Sequence, residues 1–491
     1  MSPAILVALL IPGAVASALV RATGPRSVTE GRLVSAAWFA GQDEAARRSI
    51  SWLVQPPGAA LQLRLLRWCF APFTGGPDTV VAARTAMTAV TVAGIALVWL
   101  VARRLGLAGW VAGLAAALLG LAPFAVALHR DATPANLAIP WALAGVALIL
   151  GPTARPTSRS TARPTTAPAL PATSRVEGRR TWSTAVGTGF VVVAVATGLL
   201  TDVVVVLVPI AALAVAAGVA WMAARLPFEA GLIAAAIVIV AVVVPMAVAA
   251  GDRATDPRAH DAATATSTWL ATNLPAGTRV VTDDATAADL GQAGRPPRDL
   301  VWFGSPEGTD TRRGGYLVAT PVVRSEADGD VAVHDLLAAS EPIAVFGHGD
   351  ERIEIRAVAS DGVDARRAHL ESDRAASARA GAALATNPAI GVSAPIRRTL
   401  ADGDVDLRLL TAMATLAPDR PIALVALPID DAEQVAGVPV RTAVLAVPTG
   451  REGAVLDFLR HQEDRFRPAS VVAQLAPQPD TTWVRVTYPP L

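Results

Sequence analysis

Three short polar clusters in the first third of the chain contain the side-chain types that acid–base chemistry needs. They are the acidic pair Asp43–Glu44, the turn that begins at Gln55, and a stretch that contains His129, Arg130, Asp131 and Asn136. Paired carboxylates suit a general base or the binding of a divalent cation, and a nearby arginine suits a phosphate leaving group. Each cluster taken alone is also compatible with an ordinary loop or helix cap.

Several kinds of site are excluded by what the sequence lacks. It contains no phosphate-binding P-loop, no dinucleotide-binding glycine fingerprint, no GxSxG nucleophile elbow and no HExxH zinc motif. The six histidines are scattered without metal-ligand spacing, and the single cysteine, Cys69, excludes an intramolecular disulfide and a cysteine-based zinc site. We therefore assign no metal ligands, and a divalent cation held by carboxylates stays open as a cofactor.

The composition is too apolar for an ordinary soluble chain. Hydrophobic residues make up 53% of the sequence and charged residues 17%, and the mean hydropathy is +0.45, whereas about a quarter of the residues of a soluble domain are charged. The first 250 residues contain 18 Arg and 8 acidic residues, whereas residues 251–491 contain 24 Arg and 33 acidic residues. The basic residues do not form one exposed stripe, so a nucleic-acid partner is not expected.

Apolar runs long enough, or nearly so, to cross a lipid bilayer predict a polytopic α-helical membrane domain of about seven spans. The runs are 3–20, 85–102, 106–128, 134–151, 183–201, 203–224 and 229–250. Arginines concentrate at 103–104, in the Pro/Thr/Ser/Arg-rich linker 152–182 and at 225. These positions share one face of a seven-span chain, and the positive-inside rule makes that face cytoplasmic.

The predicted domains follow from this topology. They are a membrane region at 1–151 with an outer loop at 22–80, a disordered basic cytoplasmic linker at 152–182 and three further transmembrane helices at 183–250. Two extracytoplasmic α/β domains follow, at 251–362 and 363–491. We therefore expect a multi-pass protein of the plasma membrane with the lipid bilayer as a partner. The sequence leaves open whether residues 3–20 are cleaved as a signal peptide.

The tail from about residue 253 has the alternation of strands and helices that is typical of an open α/β domain. Predicted strands lie at 278–284, 299–304, 315–323, 342–349, 352–358, 421–428, 440–448, 470–476 and 482–488. Predicted helices lie at 260–273, 285–292, 331–340, 365–384, 394–402, 406–416 and 452–463. The tail by itself indicates no chemistry.

The order of the motifs resembles the GT-C class of membrane glycosyltransferases, in the branch of protein O-mannosyltransferases and aminoarabinose transferases. The matching features are an outer acidic pair, a QPP turn at 55–57, Arg84 at the start of a run that ends in VARRLG, and LAPFAVALHRDATPANL at 121–137. The tail segment 264–305 is similar to extracytoplasmic tails of bacterial members. Full-length members usually have a histidine before the two prolines and eleven or more spans, whereas this chain has Gln55 and a shorter apolar region.

The resemblance implies an inverting transfer of a sugar from a polyprenyl-phosphate donor to an envelope acceptor at the outer face. It assigns the base to Asp43, with Glu44 beside it, and a phosphate contact to Arg130. It places His129 and Asp131 where they position the donor or a metal. Gln55, Arg84 and Asn136 complete the expected donor-binding set.

Two other functions are compatible with the sequence. In one, the membrane region is a catalytically inactive anchor, and the outer domains bind an envelope glycan or a protein. The other is a transporter, which is disfavoured because the spans after 182 contain no charged residues at their centres. The sugar, the acceptor and the oligomeric state are not indicated by the sequence.

Overall fold

The structure, a computed structural model, describes residues 28–39, 57–70, 79–121, 125, 129, 131–151, 184–195, 203–223, 225, 258–418, 422–477 and 480–490. The chain divides into two compact units, Met1–His260 and Asp261–Leu491. Each unit is described by itself.

The described part of the first unit is helical. Its helices are α1 (Val28–Phe39), α2 (Pro57–Phe70), α3 (Thr79–Arg104), α4 (Gly109–Leu121), α5 (Pro134–Leu150), α6 (Thr184–Val195) and α7 (Val203–Ala223). Helices α3, α4, α5 and α7 share a buried core that includes Val98, Ala115, Ile139 and Ala216. Two of these helices, α1 and α2, lie inside the segment that the sequence suggested was an outer loop.

The seven-span membrane domain predicted from the sequence is wrong for the part of the chain that the structure describes. There, only α3 is long and apolar enough to cross a membrane. The other apolar stretches of this unit are 10–17 residues long, at Gly109–Gly120, Pro134–Leu150, Thr184–Val195 and Leu207–Trp221. Many of the apolar side chains of α4 and α5 are buried against neighbouring helices, and such burial gives the same composition as a lipid-facing helix. Two of the predicted spans, 3–20 and 229–250, lie outside the described residues, as does the linker 152–182.

The second unit begins with an α/β lobe built on a mixed five-stranded sheet. Its elements are α8 (Arg258–Asn273), β1 (Val280–Thr282), α9 (Asp284–Gln292), β2 (Leu300–Trp302), β3 (Tyr316–Ala319), α10 (Pro321–Ala327), α11 (Val331–Ala338), β4 (Ser340–Phe346) and β5 (Ile353–Val358). The strand order is β2-β1-β3-β5-β4. The first three strands are parallel to one another, whereas β5 is antiparallel to both β3 and β4.

A second lobe follows, with its own mixed five-stranded sheet. Its elements are α12 (Val363–Thr386), β6 (Ile390–Val392), α13 (Ala394–Ala401), α14 (Leu407–Leu416), β7 (Ile422–Ala426), α15 (Asp431–Ala436), β8 (Thr442–Pro448), α16 (Glu452–Arg460), β9 (Ser470–Leu475) and β10 (Thr481–Thr487). The strand order is β6-β7-β8-β10-β9. Its core contains Leu409, Met413, Leu445 and Tyr488.

The two lobes end in the same supersecondary unit. In each, a strand is followed by helix, strand and strand, and the last strand inserts between the other two, giving β3-β5-β4 in the first lobe and β8-β10-β9 in the second. The tetrapeptide LATN precedes the first strand of each lobe, at 270–273 and at 384–387. The other strands are arranged differently, because β1 lies between β2 and β3 whereas β6 lies at a sheet edge, so the likeness of the two lobes is confined to this three-strand unit.

A buried ion pair joins the two lobes of the second unit. Arg441 Nη2 lies 2.5 Å from Glu433 Oε1, and both side chains are almost fully buried. Trp269 Nε1, from the first lobe, donates to the same carboxylate oxygen at 3.0 Å. The guanidinium also donates to Asn273 Oδ1 in the first lobe and to the carbonyl of Tyr488 in the second. One charged pair thus holds together four separate segments of the chain.

Candidate functional site

Residues from three separate stretches of the first unit meet around a buried guanidinium. Arg84 lies in the second turn of α3, Glu30 lies in the first turn of α1, and Asp131 lies just before α5. Arg84 donates from Nε to Glu30 Oε1 at 2.8 Å and from Nη2 to Glu30 Oε2 at 2.5 Å. This is a two-bonded pairing between a guanidinium and a carboxylate, which fixes both side chains in orientation as well as position.

Glu30 is fully buried, and its carboxylate also accepts a hydrogen bond from the backbone. The backbone N–H of Ala132 donates to Glu30 Oε1 at 3.0 Å, so the carboxylate also fixes the chain next to Asp131. Burial raises the pKa of Glu30, and the charge of Arg84 opposes that rise. Glu30 therefore acts as a buried support for Arg84 and for the segment before α5.

Asp131 is the carboxylate of this cluster that solvent reaches. Its side chain is 24% exposed, whereas those of Arg84 and Glu30 are 2% and 0% exposed. Its Oδ1 lies 3.7 Å from Arg84 Nη2. Two carboxylates therefore share one guanidinium, and only the outer carboxylate is placed to meet a ligand.

His129 and Asn136 form a second pair beside the carboxylates. His129 Nδ1 lies 2.8 Å from Asn136 Oδ1, and Asn136 Nδ2 donates to the carbonyl of Asp131 at 2.8 Å. Because the amide nitrogen is used by that carbonyl, the amide oxygen faces the imidazole. His129 Nδ1 must then carry the proton, which leaves Nε2 as the acceptor of a neutral ring.

The acceptor atom of His129 lacks a hydrogen-bond partner within the described residues. The ring lines a cavity of about 10 Å³, together with Met87, Thr91, Gly94, Leu119 and Ile139. A cavity of that size holds about one water molecule. Burial lowers the pKa of His129 to about 4, against the opposing effect of its hydrogen bond to Asn136.

The neutral state of His129 predicts a specific dependence of stability on pH. Its pKa in the folded state, about 4, lies below the unfolded value of 6.5, so the unfolded chain binds a proton first as the pH falls. The contribution to the free energy of unfolding is complete above the unfolded pKa and declines by about 3 kcal/mol as the pH falls to the folded pKa.

Denaturant unfolding of the wild type and of His129→Gln, at pH about 7 and about 4.5, measures this contribution. The wild type should lose more stability between the two pH values than the variant loses. A matched control is His334→Gln, which removes an exposed histidine of α11 and should leave the wild-type dependence intact. Equal pH dependence in the wild type and His129→Gln would show that the imidazole is not held neutral.

Four of the residues that the sequence suggested for donor binding lie close together here: Arg84, His129, Asp131 and Asn136. The other four candidates, Asp43, Glu44, Gln55 and Arg130, lie outside the described residues, so their roles stay predictions. Sequence reasoning missed Glu30. The feature that could have identified it is a single acidic residue in a mostly apolar stretch, where burial of an unpaired carboxylate costs free energy.

Metal binding gains no support from the geometry of the described residues. Among them, no group of three or more His, Cys, Asp and Glu side chains lies close enough together to hold an ion. The carboxylates of Glu30 and Asp131 are instead occupied by Arg84. Comparison with known protein families, curated proteins and solved structures found no match to this chain.

Proposed function

We propose that this chain transfers a sugar from a polyprenyl-phosphate donor to a hydroxyl of a cell-envelope acceptor, and that Asp131 lies at the reacting centre. The proposal depends on one observation above all, the guanidinium of Arg84 placed between a buried and an exposed carboxylate. Three separate stretches of chain supply these groups. Burial of a charged cluster costs free energy, and ionisable groups in mostly apolar surroundings often mark a functional site.

In this proposal, the solvent exposure of each side chain of the cluster determines its role. Asp131 is partly exposed and acts as general base, taking the proton of the acceptor hydroxyl. The acceptor oxygen then forms the bond to the sugar's anomeric carbon as the bond from that carbon to the phosphate oxygen breaks, and the polyprenyl phosphate leaves. Arg84 is too buried to contact the donor, so it positions Asp131 instead. Glu30 holds Arg84 in place.

A lipid-linked donor requires access to a bilayer, and α3 has the length and composition for that. Arg84 lies near the start of this helix, while Arg103 and Arg104 lie at its end. The proposed centre is therefore near one end of the helix, where a polar sugar and phosphate reside in a membrane. Location at the plasma membrane forms part of the proposal.

Substitution of Asp131 by asparagine should remove most of the transfer activity. Loss of a positioned general base typically costs 10²- to 10⁴-fold in rate, so kcat for Asp131→Asn should fall by at least about 100-fold. The assay measures the transfer of labelled sugar from a panel of polyprenyl-phosphate sugars by the purified full-length protein. Asp335→Asn serves as the matched control because it makes the same change at an exposed position of α11.

Comparison with Asp43→Ala and Glu44→Ala decides between the candidate bases. Loss of transfer with either of those two variants, together with full activity of Asp131→Asn, would contradict the assignment of Asp131. No transfer by the wild type from any donor would contradict the proposed function itself. That outcome would favour an inactive anchor whose second unit binds a ligand.

A further inference from the structure

A cleft of about 400 Å³ lies between the two lobes of the second unit. One side is formed by α12, a second by the start of β4, and a third by the turn that connects α15 to β8. Its volume falls in the range of small-molecule sites, which is roughly 300–1,000 Å³. The site proposed above for sugar transfer belongs to the other unit, so this cleft is a separate feature.

The charges that line the cleft cancel. Five arginines and five acidic residues contribute to its walls. Arg367 Nε lies 2.9 Å from Glu341 Oε1, Arg374 pairs with Asp404, and Arg441 pairs with Glu433 at the base. A ligand with a net charge would meet equal numbers of attractive and repulsive groups, so the balance favours a neutral ligand.

The same side chains offer hydrogen-bond donors and acceptors next to each other. A guanidinium has five N–H donors and a carboxylate about four acceptor sites, so one ion pair does not use the full capacity of either group. Arg367 and Arg374 are 64% and 63% exposed, and Asp404 is 48% exposed. Adjacent donors and acceptors match neighbouring hydroxyl groups, since each hydroxyl both donates and accepts.

The remaining part of the lining is apolar. Ile343, Leu370, Val438 and Pro439 contribute side chains without hydrogen-bonding groups. A sugar ring has the same division, because its hydroxyls lie around the ring while its C–H groups form an apolar face. We propose that this cleft binds a neutral carbohydrate of one or two sugar units, with its hydroxyls on the Arg–carboxylate pairs and its C–H face on Val438 and Pro439.

The base of the cleft is held in place by its own hydrogen bonds. Glu433 and Arg441 are fixed by bonds to Trp269, Asn273 and the Tyr488 carbonyl. A fixed polar base lowers the conformational cost of binding. The exposed pairs at the opening adapt to the substituents of the sugar, so we expect more selectivity at the base than at the opening.

Isothermal titration of the full-length protein tests this proposal directly. The probes are the methyl glycosides of glucose, galactose, mannose and arabinose and the disaccharides formed from them. Glucuronate and glucose 1-phosphate are the anionic comparisons. At least one neutral probe should bind with Kd on the order of 0.1–1 mM, and more tightly than both anions. Val438→Trp fills the cleft and should weaken that binding at least about tenfold, or about 1.4 kcal/mol.

Two further variants separate the cleft from the rest of the surface. Arg374→Ala removes one donor at the opening and should weaken binding about three- to tenfold. Arg313→Ala, the control, breaks another exposed ion pair, with Glu307, away from the cleft and should leave Kd unchanged. Thermal unfolding of each variant verifies that the fold persists.

Several results would overturn the carbohydrate site. They are binding of the anions alone, absence of binding by every probe, and neutral binding that survives both Val438→Trp and Arg374→Ala. The Asp131→Asn variant, whose substitution lies in the other unit, should bind the neutral probe as tightly as the wild type does. Loss of transfer with retained sugar binding would therefore leave this inference standing, and so would absence of transfer by the wild type.

Discussion

Replacement of Glu433 by leucine is expected to lower the free energy of unfolding of the second unit by about 3–5 kcal/mol. Removal of the carboxylate leaves the charge of Arg441 buried without its counter-ion, and Trp269 Nε1 loses its acceptor. An uncompensated buried charge is among the most destabilising changes known for a single site. Chemical denaturation followed by circular dichroism measures the loss.

The double variant Glu433→Leu/Arg441→Met distinguishes the cost of an unpaired charge from the cost of lost packing. It should be more stable than Glu433→Leu alone, since no charge is then buried without a partner. It should still be less stable than the wild type, because Arg441 also bonds to Asn273 and to the Tyr488 carbonyl. Glu307→Gln breaks an exposed pair and should cost no more than about 1 kcal/mol. A similarly small effect of Glu433→Leu would contradict a joining role for this ion pair.

Gly381→Val should destabilise the second lobe by about 3 kcal/mol or more. At position 381, α12 passes so close to α13 that an added Cβ would overlap the carbonyl oxygen of Leu400. The obstacle is backbone, which has no alternative rotamer, so one of the two helices has to move. Thermal unfolding monitored by circular dichroism should show the loss as a lower Tm.

Gly453 supplies the matched control, because it lies on α16 in the same lobe and has open space where its Cβ would be. Gly453→Ala should leave stability unchanged or raise it by about 0.5 kcal/mol, since alanine loses less conformational freedom in a helix than glycine does. If Gly381→Val were as stable as Gly453→Ala, the close approach of α12 and α13 would be refuted.

The elements of the second unit follow closely from local sequence signals. Strand β1 and helix α9 lie within or next to the predicted strand 278–284 and the predicted helix 285–292. Asp283 caps α9 by accepting from the N–H of Thr286 at 2.9 Å. Strand β6 and helices α10 and α15 were missed, because three, seven and six residues give too short a pattern to recognise. The predicted strand 315–323 was too long, since β3 ends at Ala319 and Thr320 caps the start of α10. How the strands pair is set by contacts distant in sequence, which periodicity does not report.

The helices of the first unit show why apolar run length misled the prediction. The run 134–151 has almost the length of its helix, because α5 begins after the capping residue Thr133, ends before Gly151 and has 17 residues. The helix buries Ala135, Ile139, Leu143 and Ala147 against neighbouring helices. Hydropathy counts apolar residues and does not report whether they face lipid or a protein core.

The candidate site was only half predictable for a related reason. Arg84, His129, Asp131 and Asn136 belong to recognisable clusters, and three of them lie within eight residues of sequence. Glu30 lies 54 residues before Arg84, and no local pattern connects the two. Only the packing of α1 against α3 shows that the isolated acid is the partner of the guanidinium.

The three-strand unit that the two lobes share has an outer strand in each, β4 and β9, and these two strands are covered to different extents. Strand β4 of the first lobe packs against α15, which the second lobe supplies. Its counterpart β9 has the uncharged sequence SVVAQL, and Leu475 and Val472 are 99% and 47% exposed. An uncharged outer strand with exposed apolar side chains invites strand pairing between molecules. We therefore expect β9 to promote association between molecules, and acidic or lysine substitutions on this strand to reduce it.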